Sequence, residues 1–227
     1  YTIQIDMSGG TDPKLVIAVT DSTPPGVPGG AAVPKPTPEP TPIPLPFIDV
    51  SDLAWYFGDV YFVWANGLMI GTADDLFSPD ASVTRGMIVT VLHRLAGEPD
   101  IDDDGEAFDD VSADAWYAKA VAWARTNGIV LGVGDNLFAP DAQITRQDLT
   151  TILSRRADSA GTQLPVKREY TSFPDETEIA DYAKAAAEAF FKAGIINGRD
   201  DGLFDPTGTA TRAEFAAMLR RLDDAEE

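Results

Sequence analysis

The chain of 227 residues contains no cysteine and a single histidine, His93. The missing cysteine excludes disulfides and thiolate chemistry. With one imidazole, the usual nucleophile–base pairs and zinc sites cannot be assembled. Absence of cysteine also suits a protein exported by a bacterium. Basic residues are scarce: 17 Lys and Arg stand against 37 Asp and Glu, for a net charge of −20. Such a balance argues against a nucleic-acid binder, which needs a basic face, and against a basic helix adhering to anionic lipid. No apolar run approaches the ~20 residues that span a bilayer, so no membrane insertion is expected. No signal-peptide pattern opens the chain. It starts at Tyr1 inside an alternating pattern, which leads us to expect the C-terminal piece of a longer protein.

Residues 1–20 hold two β-prone runs, Tyr1–Asp6 and Leu15–Val19, around the turn-like Ser8–Pro13. They are expected to be the end of an upstream β-rich domain, since two strands alone are marginally stable. Residues 21–46 form a Pro-rich linker, in which ten of the 23 residues from Pro24 to Pro46 are proline. Alternating proline favours polyproline II, and the part from Pro34 to Pro46 would reach about 40 Å at ~3.1 Å per residue. A passive spacer is expected there, with an SH3-type ligand as the alternative.

From Phe47 the sequence repeats. Phe47-x-Asp49-Val50 returns as Phe108-x-Asp110-Val111 and as Phe173-x-Asp175. Three units follow, over 47–100, 101–165 and 166–227, each expected to hold two helices. The first helices begin near Trp55-Tyr56, Trp116-Tyr117 and Asp181-Tyr182 and stop at Gly67, Gly128 and Gly194, residues that take the left-handed conformation freely. Aligned on these tyrosines, the third unit carries one extra residue between Tyr182 and Gly194. The second helices align their apolar positions as Ile88, Leu149 and Phe215, then Val91, Ile152 and Met218, then Leu92, Leu153 and Leu219. This spacing gives one buried stripe per helix, and three equivalent stripes can meet around a pseudo-threefold axis.

Each second helix opens on a Thr-Arg pair after a Phe-x-Pro turn: Thr84-Arg85, Thr145-Arg146 and Thr211-Arg212. The threonine is suited to cap the helix. Asp148 and Glu214, three places on, read as capping-box partners, and Met87 stands in their place in the first unit. The arginine is harder to explain, because a cation at a helix N-terminus is mildly unfavourable. Three of them at equivalent positions suggest an anionic partner for each, either a nearby Asp or a ligand.

These marks, together with Trp116-Tyr117-x-x-Ala120-Val121, Asn127-Gly128-Ile129, Ile144-Thr145-Arg146 and Thr211-Arg212-Ala213-Glu214, resemble the S-layer homology domain family of bacterial surface proteins. The resemblance spans residues 47–227 in three consecutive units. It implies a mainly α fold, a pseudo-trimeric spindle with the second helices in a central three-helix bundle and the first helices as three prongs. It implies an extracellular, non-catalytic anchor that binds a secondary cell-wall polysaccharide attached to peptidoglycan, often one carrying pyruvate ketals, with S-layer neighbours as further partners. A module whose grooves bind protein is the alternative. It places the ligand grooves between units and makes Arg85, Arg146 and Arg212 the chief anion contacts, beside Thr84, Thr145 and Thr211. A ketal keeps a free carboxylate, which the planar fork of arginine can engage bidentately, and unpaired helix N–H groups would assist. Trp55 and Trp116 are candidate sugar platforms or prong core residues. Gly71, Gly132 and Gly198 either let backbone approach a sugar or serve the turn alone. The missing acid of the first unit sets Arg85 apart from Arg146 and Arg212, and Asp181 stands where the other prongs have Trp.

No cofactor or metal is expected. Asp100 to Gly105 begins like a calcium loop, but its twelfth position is Val111 where a bidentate Glu is needed, so an acidic linker is expected. His93, with Ser154 and Arg220 as counterparts, is expected at the surface. Carboxylates are plentiful enough for a two-acid glycosidase, yet they lie mainly in loops and in the tail from Asp223 to Glu227, which reads as surface solvation.

Overall fold

A computed structural model of the chain describes residues 44–101 and 107–226. The expected β pair over 1–20, the spacer up to residue 43 and most of the calcium-like loop lie outside the described residues. Six α-helices form: α1 (Phe57–Ala65), α2 (Arg85–Leu95), α3 (Ala118–Thr126), α4 (Arg146–Ala160), α5 (Asp181–Lys192) and α6 (Arg212–Glu226), with a 3-10 turn at Glu176–Glu178. Among the described residues there are isolated β-bridges and no sheet. The fold is mainly α, in three tandem two-helix units.

The stop signals act as expected. Gly67, Gly128 and Gly194 take φ of 68°, 68° and 75°, and the next N–H turns back onto Val63, Ala124 or Phe190. The stripes of the second helices are the core: Ile88, Leu149 and Phe215 are 0% exposed, as are Leu92, Leu153 and Leu219. Burial of each such side chain contributes roughly 1.5–3 kcal/mol, the main stabilising contribution. The most extensive helix pairings are α4 with α5, α1 with α6 and α2 with α3. Each second helix therefore packs on the first helix of the next unit, and α6 returns to the first unit.

The repeated Phe-x-Asp opening explains itself in the same way. Asp49 accepts from the N–H groups of Phe77 and Ser78 at 2.8 and 2.7 Å, Asp110 from Phe138 and Ala139, and Asp175 from Phe204 and Asp205. The second residue of each pair is strained: Ser78, Ala139 and Asp205 hold φ of 58°, 57° and 55° without being glycine. A carboxylate taking two N–H groups holds each Phe-x-Pro turn in that conformation and fixes it to the start of its unit.

The turns in turn cap the neighbouring helices. Arg85 N–H donates to Ala142 O and Gly86 N–H to Pro140 O. Arg146 and Gln147 do the same to Gly208 O and Pro206 O, and Arg212 and Ala213 to Ala81 O and Pro79 O. Two residues before each of these arginines, Val83 N–H donates to Ala210 O, Ala210 to Ile144 O and Ile144 to Val83 O, at 3.0–3.1 Å. This is a closed three-membered ring of backbone hydrogen bonds. The cyclic relation expected of the second helices is thus carried by their N-terminal segments.

Two outcomes follow from this closure. A chain lacking residues 166–227 leaves the first turns of α4 without their carbonyl partners and breaks the ring. It is expected to show no cooperative unfolding transition by circular dichroism, whereas a folded two-unit fragment would contradict the closure. Asp175→Ala strands two N–H groups, one of them buried, and is expected to cost about 2–4 kcal/mol in urea unfolding at unchanged slope.

Candidate functional site

The three arginines of the Thr-Arg pairs are buried, at 8%, 6% and 7% exposure for Arg85, Arg146 and Arg212. Their shared partner is a backbone carbonyl. Nε donates to Phe138 O from Arg85, to Phe204 O from Arg146 and to Phe77 O from Arg212, at 2.7–2.8 Å. Each guanidinium also lies over the ring of the same phenylalanine, 4.9, 5.8 and 4.5 Å from its centroid. Burial lowers the pKa of all three from the ordinary arginine value, opposed chiefly by Asp148 at Arg85, by Glu214 at Arg146 and by Asp49 at Arg212. They stay charged, as arginine does in proteins.

The helix N-termini are not open to an anion. The first two N–H groups of each second helix bind carbonyls of the neighbouring unit, and the third binds its own threonine. Met87 N–H donates to Thr84 Oγ1, Asp148 to Thr145 Oγ1 and Glu214 to Thr211 Oγ1, at 3.2–3.3 Å. The unpaired N–H groups expected to assist a ligand are therefore taken. The capping box is complete only in α6, where Thr211 N–H donates to Glu214 Oε2 at 2.8 Å. Asp148 is one carbon shorter and instead accepts from the Thr145 hydroxyl at 2.8 Å.

The same cyclic pattern sets an arginine at each inter-unit boundary. In the first, Arg212 faces the loop of Ile70 and Gly71, the α2 residues Met87 and Val91, and Trp116, around a hollow of about 420 Å³. Arg212 Nη2 donates to Ile70 O at 2.7 Å, and no carboxylate lies within 4.0 Å of the guanidinium among the described residues. In the second, Arg85 meets the turn of the second unit, with Asp148 and Tyr182 close enough to act on its charge. In the third, Arg146 Nη1 donates to Glu214 Oε1 at 2.7 Å, and Arg199 Nη1 reaches the same oxygen at 3.0 Å.

The acid at the third position of a second helix therefore faces the arginine of the preceding unit. Glu214 serves Arg146, Asp148 lies near Arg85, and Met87 stands opposite Arg212. The missing acid of the first unit leaves Arg212 with Asp49 as the acid that acts on its charge and no ion-pair partner among the described residues. Arg85, expected to be the odd one out on that account, has Asp148 for its neighbour.

The aromatic walls also differ from expectation. Trp55 and Trp116 are each 64% exposed, so they are not prong core. They sit in the turn just before α1 and α3. Counted back from the glycine stops, their counterpart in the third unit is Tyr182, 54% exposed, while the buried Ala183 takes the place of the half-buried Tyr56 and Tyr117. The extra residue of that unit thus precedes Tyr182, and an aromatic is retained there. Its hydroxyl donates to Asp148 Oδ1 at 2.6 Å, and burial followed by this bond pushes its pKa up to about 12. The loop glycines serve the turn. A Cβ on Gly71 would stand 2.4 Å from Ala73 O and 2.7 Å from the Phe47 ring, and Gly132 meets Leu137 O and Phe108 in the same way. Gly198 is less tight, 3.1 Å from Leu203 O. The threonines act as caps, and Gly71 lines the Arg212 hollow.

Arg94, Arg199 and Tyr182 were not among the expected site residues. Arg94 lines the Arg212 hollow and donates to Leu68 O at 3.1 Å. Its counterparts Arg155 and Arg221 recur nine residues after each Thr-Arg arginine, a signal present in the repeat alignment. Arg199 stands where the other units have Thr72 and Val133, so alignment marks it as a departure but does not show its partner. His93 is buried rather than at the surface: it is 8% exposed, its ring is 5.3 Å from Trp123, and Nε2 lies 3.0 Å from Pro99 O. Among the described residues no three His, Cys, Asp or Glu side chains gather as a metal site.

Comparison with known proteins agrees with this architecture. The S-layer homology domain matches residues 46–86, 107–150 and 172–216. The chain is 32% identical over 173 residues to an amylopullulanase of Thermoanaerobacterium thermosulfurigenes, covering 76% of this chain and 9% of the relative. It is 33% identical to exoglucanase XynX of Acetivibrio thermocellus, over 76% of this chain and 16% of the relative. It is 30% identical to the surface-layer 125 kDa protein of Lysinibacillus sphaericus, over 68% of this chain and 13% of the relative. The chain thus spans less than a fifth of the length of these relatives. Their names differ while the shared segment stays the same, and that segment is the three-unit ring whose turns, caps and buried arginines have just been described. The chain belongs to the S-layer homology domain family.

Proposed function

We propose that the module anchors its protein to the cell wall by binding an acidic, pyruvylated secondary polysaccharide in the groove of Arg212 and Trp116. The coarser part is the family's: this is a non-catalytic anchoring module at the cell surface, in contact with the wall. The observation that carries the finer part is Arg212, which has no ion-pair partner among the described residues. A buried guanidinium with two donors committed to carbonyls and no carboxylate within 4.0 Å among the described residues is a fixed positive centre in a weakly screened place. Trp116 and Gly71 line the same hollow, and Trp116 brings a broad apolar face to it. A ketal carboxylate meets the cation while the sugar ring lies on the indole. The long-range field opposes the encounter, since the chain carries −20 and the polymer is anionic. Recognition is then short-range, and selectivity lies in the groove.

The groove of Arg85 and Tyr182 supports a weaker site of the same kind, because Asp148 offsets part of its charge. Co-sedimentation with purified sacculi tests the reading. The parent chain is expected to bind sacculi and to lose them once acid treatment strips the secondary polymer. Retention by stripped sacculi would favour grooves that bind protein or peptidoglycan itself. Arg212→Gln is expected to weaken binding about 10- to 100-fold, as for loss of a charge-assisted bond worth roughly 1.5–3 kcal/mol. Trp116→Ala is expected to weaken it with little change in melting temperature, since the ring is mostly exposed. Unchanged binding by both variants would sink the assignment.

A further inference from the structure

The third groove departs from the other two at four equivalent positions at once. Asn197 replaces Ile70 and Leu131, Arg199 replaces Thr72 and Val133, Asp205 replaces Ser78 and Ala139, and Glu214 replaces Met87 and Asp148. Three of the new side chains, Arg199, Asp205 and Glu214, meet one another. Glu214 Oε1 accepts from Arg146 at 2.7 Å and from Arg199 at 3.0 Å, while its Oε2 takes Thr211 N–H at 2.8 Å. Arg199 is balanced in turn by Asp205, with Nε 2.6 Å from Oδ2. The Glu214 side chain is 14% exposed and that of Arg146 7%. Two cations and two carboxylates form an ion-paired set, whereas Arg212 has no carboxylate within 4.0 Å among the described residues.

We propose that the third groove is self-ligated: the Glu214 carboxylate occupies, from within the chain, the place beside Arg146 that the acid group of the glycan takes beside Arg212. This rests on the reading of the Arg212 groove as an acidic-sugar site. The consequence is a chain built with three grooves that offers acidic glycans no more than two. Trp55, which precedes the helix packed on α6, is an exposed aromatic that the cyclic pattern assigns to this third groove. An uncharged sugar unit is the ligand chemistry that suits it.

Removing the carboxylate should expose the site. The Glu214→Ala chain is heated in sodium acetate and in equal sodium chloride. The gain in melting temperature from acetate over chloride is expected to be larger for Glu214→Ala than for the parent, whose Arg212 groove already takes a carboxylate, and to fall back to the parent's value when Arg146→Gln is added. A methyl hexosaminide carrying a pyruvate ketal, titrated by calorimetry, is expected to bind Glu214→Ala with a stoichiometry one higher than the parent. Should Glu214→Ala fail to fold, Glu214→Gln keeps an acceptor for Thr211 N–H and is titrated instead, with the same added site expected. An acetate gain of folded Glu214→Ala no larger than the parent's, or ketal binding at the parent's stoichiometry, overturns the proposal. A parent that takes no ketal at all defeats the glycan reading, and the acetate comparison still decides whether Glu214 fills an anion site.

Discussion

The ends of the second helices cannot be satisfied within their own units, and the rest of the molecule depends on that constraint. A helix leaves its first N–H groups unpaired, and a buried unpaired N–H is costly. Here the carbonyls that satisfy them come from the Phe-x-Pro turn of the neighbouring unit, so capping and assembly are one event. The turn is held in a strained conformation by the Asp at the start of its unit, and the arginine side chain reaches the same turn through its Nε. Because the third unit hands its capping back to the first, the units close a ring. The grooves are the seams of that closure, which places every candidate ligand contact where two or three units meet.

Much of the fold was legible in the sequence, for physical reasons that act locally. Glycine stops, threonine caps and apolar stripes at helical spacing depend only on near neighbours, and Gly67, Thr84 and Leu92 behave as their residue types dictate. What was not legible depends on partners far along the chain. Glu214 looks like a local capping-box acid and is one, yet its second oxygen neutralises Arg146, 68 residues away. Arg212 looks better supplied with acid than Arg85 until the acid opposite it is found to be absent. Tyr182 misled an alignment made on residue identity: it stands in the helical register of the tryptophans, and burial reveals this where the letter does not.

On the proposed reading, the arginines give a strongly acidic protein a way to hold an acidic polymer. Their positive charge is placed by the fold, with the guanidinium stacked on a phenylalanine ring and tied to carbonyls before any ligand arrives. A cation held in that way pays little of the ordering entropy that a flexible surface lysine would lose on binding. The same buried placement makes each arginine answerable to whatever carboxylate shares its seam, so a single substitution at the third position of a helix can open or close a groove in the unit next to it. Functional divergence among three like units then requires few changes, and the third unit has made four of them together.

The most direct measurement is nuclear magnetic resonance on nitrogen-labelled chain titrated with a methyl hexosaminide bearing a pyruvate ketal. The account predicts saturable shifts of the Trp116 indole N–H and the Arg212 Nε–H, smaller shifts at Arg85, and none at Trp55 or Arg146. Equal shifts at all three arginines, or shifts confined to residues outside the seams, would contradict it.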